Sequence, residues 1–435
     1  ELERRIAHFP YHVRLITGAS GGMMGAACYT AALQSPSRSI YDQLVKATGG
    51  RPRYTYHHPA VNELLENMKG DFLSPVFAHA VFHDIPKMVV PTTMPMDRGI
   101  VLEDAWRHNR LPMLARTVRE LAGGEWDGWR PSLIFSPMLV EDGRRLLISN
   151  LDLDFIPRNV GHVLIPSGNE KISANAKLVS AYAFRDGFDI YSLSGVEFFR
   201  LFPAAWEFKL STAVRLSASF PIISPAVRLP TIPPRRAVDA GYYDNYGVNL
   251  ACLWIDSNKS WLQANTSGVV LIQIRDHQGE NQRRELTSPQ ERVPPSVPIP
   301  AWFNRSPRII AIARSLARLS EGFHLGRQWL TSTFEGVEAA RRALAVYRND
   351  EQVEALSNLI NFSPEFANKP PGFYSTVIFE NPVEAAVNWK LSPRDYEQIL
   401  RGFEPKLIDE ERGQKNAAER NLERLNMLES WWLRE

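Results

Sequence analysis

The chain has 435 residues, enough for one large α/β domain or two smaller ones with a sizeable core. Its 44% apolar and 23% charged residues are the make-up of a folded globular protein and exclude wholesale disorder. A net charge of +2 gives no electrostatic reason to expect a nucleic-acid partner, and two cysteines, Cys28 and Cys252, are too few for a disulfide framework or a cysteine metal site, which fits a reducing compartment.

No run reaches the roughly 20 apolar residues of a bilayer span, and no signal-peptide pattern is present. Cytoplasmic or peripheral-membrane residence is therefore expected. The chain opens ELERRIAHF without a methionine, so it is expected to be a piece or a processed form of a longer one.

In chain order, Tyr11 to Thr17 reads as a strand and Gly21 to Leu33 as a helix rich in small residues. Glycines in its first turns cost a free helix about 1 kcal/mol each, so some close backbone approach is expected there. Asn62 to Met68 and Trp106 to Leu121 read as helices, with a loop at Asp97 to Gly99. Ser132 to Leu151 gives two apolar runs around Asp142-Gly143, a hairpin signal. Lys209 to Phe220 reads as a helix stopped by Pro221, and a strand is expected to end near Asp239. Gly268 to Ile274 reads as a fully buried strand. A polar, Pro-rich stretch follows to about Pro307; helices are expected at Ile309 to Leu319, Trp329 to Tyr347 and Glu351 to Ile360, a strand at Tyr374 to Glu380, and mostly helix from Pro393 onward. Strands interleaved with helices predict an α/β fold with a helical C-terminal part.

The stretch Leu15 to Ala26, LITGASGGMMGA, carries the chemistry and has two readings. As a dinucleotide turn it resembles the short-chain dehydrogenase opening T-G-x-x-x-G-x-G. Thr17, Gly18 and Gly22 fit that pattern, but Met24 stands where its last glycine belongs. The Tyr-x-x-x-Lys pair of that family is absent, as is a second strand ending in a ribose-binding acid. As a nucleophile turn it needs G-x-S-x-G between strand and helix, which Gly18, Ser20 and Gly22 supply. The turn forces the serine into strained backbone, and its hydroxyl stands at a helix N-terminus that favours an oxyanion. G-x-S-x-G is a short pattern, and a serine that merely caps a helix would read the same.

A base is needed beside the serine. His277 lies in a polar DHQGEN loop and His324 in a helical stretch, neither with the surroundings of a triad histidine. In AVDAGYYDNYGVN, by contrast, an apolar pair runs directly into Asp239, and Ala240-Gly241 lets the chain turn beside it. A carboxylate at a strand's carboxyl end points to where open α/β sheets do their chemistry. A turn-forming aspartate would also give D-x-G.

G-x-S-x-G on an early strand–helix turn, with D-[GA]-G about 200 residues later, resembles the patatin-like phospholipase family and its relatives among cytosolic phospholipases. LSTAVRLSASFPIISP resembles the small-residue helix and Phe-Pro turn before the family's aspartate; the Ser132–Leu151 hairpin and VNWKLSP have counterparts too. The resemblance spans most of residues 11 to 280 and touches 374 to 393.

It implies a three-layer α/β/α patatin-like fold, with a catalytic core over 1–280, an exposed connection over 281–307 and a helical extension over 308–435 packed on the core. It implies a serine acyl hydrolase acting on ester-linked lipids, phospholipids foremost, with no metal or organic cofactor. Ser20 would be the nucleophile, Asp239 the base, the Gly21 N–H an oxyanion donor, and Gly18, Gly22 and Gly241 the motif glycines. An exposed aspartate is a poor base near neutrality, so this carboxylate is expected to be buried.

The family's Gly-rich oxyanion loop belongs on an earlier strand, and the 19 residues before Ser20 do not hold it; the native protein is expected to extend further. Ala240 is a mild departure from the commoner glycine. Two rivals remain: a catalytically silent lipid-binding or regulatory module, and a Ser–His–Asp esterase using His277 or His324. Trp302, Phe303, Trp329, Trp431 and Trp432 could cover a lipid-entry route, and Ile309 to Arg327 could touch a membrane surface. Nothing in the sequence speaks to oligomeric state.

Overall fold

The computed structural model describes residues 1–6, 8–37, 59–84, 98–153, 165–166, 195–219, 224–275, 348–362, 366, 368–369, 372–381, 396–397, 399, 401–404 and 417–433. The chain divides into two units, Glu1–His277 with Asn349–Glu435, and Gln278–Arg348. All the elements below belong to the first; of the second only Arg348 is among the described residues. The expected parts 1–280, 281–307 and 308–435 differ from this division, since residues 349–435 share a unit with the N-terminal stretch.

Two short helices, α1 (Leu2–Arg5) and α2 (Phe9–His12), come first. Strand β1 is only Leu15–Thr17, not the longer strand expected from Tyr11, because Pro10 in the first turn of α2 presets a helical φ. Helix α3 (Ser20–Ala32) follows, then α4 (Pro59–Asn67), α5 (Leu73–His79) and α6 (Arg98–Asn109). Arg98 and Gly99 thus open a helix rather than forming a loop. The helix expected over Trp106 to Leu121 stops at Asn109. Pro112 lacks the N–H that would continue it, and 3₁₀ turns at Pro112–Ala115 and Arg119–Leu121 lead into α7 (Ala122–Trp126).

The hairpin forms, but Pro137 splits its first arm. Strand β2 (Ser132–Ile134) pairs in parallel with β1, while β3 (Met138–Leu139) pairs antiparallel with β4 (Arg145–Leu147) across a turn where Gly143 has φ 70°. A short β5 (Ile165–Pro166), β6 (Gly195–Glu197) and α8 (Phe198–Leu201) precede α9 (Leu210–Ser217). Then come β7 (Val227–Leu229), β8 (Thr231–Ile232), which pairs with β5, and β9 (Arg235–Val238). The sheet β6-β4-β3-β9-β7 is mixed: β6 runs parallel to β4 and the other neighbours are antiparallel. Helices α10 (Val248–Ser257) and α11 (Lys259–Asn265) lead to β10 (Val269–Arg275). After helix α12 (349–362), β11 (Tyr374–Glu380) pairs in parallel with β10, and α13 (Ala417–Trp432) ends the described chain. Strand β10 is not fully buried as expected, since Ile274 is 77% exposed. The helices expected at Ile309 to Leu319 and Trp329 to Tyr347 lie outside the described residues.

Strand periodicity distributes the core. Ile16, Leu133 and Leu146 pack with α3, α6 and α9, whereas their neighbours Leu15, Ile134 and Leu147 pack with Leu250 of α10. Successive side chains point to opposite faces, so helices cover both sides of these strands. Likewise Val269 and Leu271 of β10 pack with α10 and α12, and Val270 and Ile272 with α13 and the N-terminal helices. The molecule is therefore an α/β protein with a mixed sheet.

Candidate active site

The turn from β1 into α3 is sharp. Ala19 is extended (φ −134°, ψ 161°), and Ser20 then takes φ 50° as the first residue of α3. Left-handed backbone costs an L-residue about 1–2 kcal/mol, so surrounding structure must hold it. Among the described residues only His8 and Ser20 adopt it without being glycine. The Gly22 N–H donates to the Ala19 carbonyl at 3.0 Å and closes the turn. Ser20 is half-buried, and Gly21 and Gly22 are exposed. A methyl group on either glycine would meet nothing within 4 Å. The N-terminus of α3, with its outward N–H groups and positive dipole end, is thus open to an incoming group.

That openness alters the expected part of the flanking glycines. A Cβ at Gly18 would lie 3.4 Å from Met23 Sδ, a contact that gives easily, and Gly22 has no neighbour to avoid. The small residues needed for close packing on α3 lie further along, where Ala27 and Ala31 are buried.

Asp239 follows the last residue of β9 and is 0% exposed. Its Oδ1 accepts the Gly241 N–H at 2.7 Å, and its own N–H donates to the Ser219 carbonyl just past the end of α9, at 3.2 Å. Ala240, Gly241 and Tyr242 form a single 3₁₀ turn with Ala240 buried, so the extra methyl group is accommodated. Further on, buried Asp244 fixes the loop: its Oδ1 accepts from Tyr246 N at 3.1 Å and Asn349 Nδ2 at 3.2 Å, and its Oδ2 accepts from Asn249 N at 3.0 Å. Buried Arg145 of β4 donates to Asn249 Oδ1 at 3.0 Å and lies 4.7 Å over the Tyr243 ring.

The serine turn and the aspartate loop meet at Gly247. It has φ 68°, and a Cβ there would fall 2.4 Å from Gly18 N, 2.6 Å from Gly18 Cα and 2.7 Å from the Thr17 carbonyl carbon. Only glycine satisfies both the backbone and the space. Beside this contact the Thr17 hydroxyl donates to the Gly247 carbonyl at 2.7 Å. Beneath it, α10 packs on β1, with Leu250 against Leu15. Sequence reasoning singled out Ser20 and Asp239 but missed Thr17, Asp244, Arg145 and Gly247. A glycine directly before the apolar helix VNLACLWI was the available signal for Gly247. Nothing marked Arg145 apart from other hairpin arginines.

His277 and His324 lie outside the described residues, as do Trp302, Phe303, Trp329 and the stretch Ile309 to Arg327. Trp431 and Trp432 belong to the core between α13 and the N-terminal helices, with Trp432 edge-on to His12 at 4.9 Å and Trp431 Nε1 donating to Gly372 O at 2.7 Å. The amphipathic face of α13 needs them there. Both cysteines are buried and unbridged, and burial pushes each thiol up to about 12. Two cavities, of about 210 and 200 Å³, lie beside the C-terminal end of α3 and beside Asn150; neither is lined by Ser20 or Asp239.

The fold and site define an α/β protein in which a strained serine turn is joined to a buried aspartate loop. Set against family models, curated proteins and solved structures, the chain has no match in any of the three. Among the described residues no helix is long and apolar enough to cross a membrane.

Proposed function

We propose that this chain is a serine acyl hydrolase of the patatin-like type, a three-layer α/β/α enzyme working through a Ser20–Asp239 dyad. The observation that carries the reading is the left-handed Ser20 at a strand–helix turn, abutted by the loop that begins at Asp239. In the first half-reaction Ser20 Oγ bonds to the ester carbonyl carbon while its proton passes to the Asp239 carboxylate. The developing oxyanion takes the Gly21 N–H, and the proton then leaves with the alkoxide as the acyl–oxygen bond breaks. In the second, Asp239 takes a proton from water, the hydroxide attacks the acyl carbon, and Ser20 Oγ regains its proton. Ester-linked lipids, phospholipids foremost, are the substrate class the motif resemblance supports.

Fluorophosphonate labelling with mass mapping of the adduct tests the dyad, because such probes need an activated serine and assume nothing about the lipid. An adduct on Ser20 is expected, absent in Ser20→Ala and slowed about 10²- to 10⁴-fold in Asp239→Asn. No adduct, with lipid binding retained, would favour a silent lipid-binding module. An adduct that survives Asp239→Asn but not substitution of His277 or His324 would favour the histidine esterase. Release of fatty acid from phospholipid vesicles tests the substrate class. Sedimentation with anionic liposomes at low salt tests peripheral membrane contact.

A further inference from the structure

We infer that Thr17 is a positioning residue whose hydroxyl sets the distance between nucleophile and base, an inference that rests on the dyad proposed above. Thr17 ends β1, and its Oγ1 donates to the Gly247 carbonyl at 2.7 Å. That carbonyl also receives the Ala251 N–H at 3.4 Å in the first turn of α10. The same glycine comes so close to Gly18 that a Cβ on it would fall 2.4 Å from Gly18 N, so a hydrogen bond and a close backbone approach hold the 17–18 peptide from one side. Ser20 lies two residues beyond, in backbone that would relax if that hold were released.

The partner loop is held from its other side. Asp239 is tied to Ser219 at the end of α9, and Asp244 binds the loop to its own backbone and to α12. The Thr17–Gly247 bond joins this braced loop to the serine turn, and reaction geometry is sensitive to shifts of about 1 Å.

The test compares Thr17→Val, which keeps the branched shape and loses the donor, with Thr17→Ser, which keeps the donor. Phosphonylation rates of Ser20 are measured per folded molecule, with the folded fraction taken from circular dichroism. For Thr17→Val a fall of about 10²-fold is expected, with recovery close to the parent rate in Thr17→Ser. Turnover of a short-chain p-nitrophenyl ester should lose kcat even after division by the folded fraction, a loss that partial unfolding, which removes active molecules without slowing those that remain, does not produce. Should Thr17→Val fail to fold, Thr17→Ala against Thr17→Ser makes the same comparison. Equal labelling of the valine and serine variants would overturn the inference and leave the dyad standing. An unlabelled Ser20 in the parent protein would overturn the dyad, and with it any positioning of a reaction by Thr17.

Discussion

The serine turn and the aspartate loop carry equally short motifs, yet they are built in opposite ways. The serine turn is open: Gly21 and Gly22 face solvent, and Ser20 is strained and half-buried. The aspartate loop is closed: Asp239, Asp244 and Asn249 are buried, and a net of hydrogen bonds reaches Arg145 and Asn349. A nucleophile must be reached by its whole substrate, whereas a base need be reached only by the nucleophile and a single water. The closed side meets the strained turn at Gly247, beside Gly18 and Thr17.

Gly247→Ala should have the largest effect. Its φ of 68° costs alanine about 1–2 kcal/mol. The collision at 2.4 Å with Gly18 N involves backbone that cannot swing away, adding about 1–3 kcal/mol. Ser20 labelling should be abolished, and thermal melts should show a clearly lowered midpoint. A variant that labelled normally would mean that the two loops are not held in register at this contact.

Glu103→Ala should come next, and it should separate stability from reactivity. Buried Glu103 of α6 accepts from Arg215 Nε, from Thr212 Oγ1 at 2.8 Å and from Ser211 Oγ at 3.3 Å, all on α9. Removing the carboxylate strands a buried guanidinium, a loss of about 3–5 kcal/mol by denaturant titration. Labelling per folded molecule should change far less than in Gly247→Ala, because the bonds of Glu103 run to α9 and reach the aspartate loop only through Ser219, which donates to the Arg215 carbonyl and accepts from Asp239 N.

How much of this was legible follows from the range of each signal. The strand expected over Tyr374 to Glu380 forms with those bounds, and Asp142-Gly143 gave the hairpin turn, because both signals are local. The strained turn at Ser20 and the buried turn at Asp239 were legible for the same reason, each sitting in a short motif with its glycine. Pro10 and Pro112 carried local signals as well, but the strand expected before Thr17 and the helix expected through Leu121 overrode them. What could not be read was any relation across the chain. Thr17 and Gly247 are 230 residues apart, and Arg145 and Asn249 are 104. No periodicity links such pairs, and a buried arginine in a strand resembles an exposed one until its partner is known. The aromatic pair Trp431-Trp432 packs, partly buried, against the cluster of α13 and the N-terminal helices, a placement that an aromatic pair near the chain's end does not announce.

A smaller effect separates the pH response of the scaffold from that of the site. Burial against Trp432, with the charges of Arg14 and His8, holds the His12 imidazole down to about 4. The folded protein therefore keeps this ring neutral while an unfolded chain protonates it near pH 6.5. The contribution is fully present above pH 6.5 and is lost as pH falls toward 4. His12 is an exposed residue, and solvent screening keeps the effect modest. The melting midpoint should fall over that interval, and His12→Phe should flatten part of the fall. Ser20 labelling at a temperature well below the midpoint should be the same in His12→Phe and the parent across the interval.

Gly22→Ala should change least, and it tests the open side directly. Gly22 lies within α3 with no positive φ, and a Cβ there meets nothing within 4 Å. Alanine in a helix is favoured over glycine by about 1 kcal/mol, so the variant should be slightly more stable. If the motif glycine serves only the turn, labelling should be unaffected with any probe. If it keeps space for a substrate crossing the α3 N-terminus, a small fluorophosphonate should react as before and a long-chain one more slowly. The second result is expected, because among the described residues no atom lies within 4 Å of where a Cβ on that glycine would stand; the methyl group would then narrow a path used by the acyl chain, and the penalty should grow with the bulk of the probe near its reacting atom.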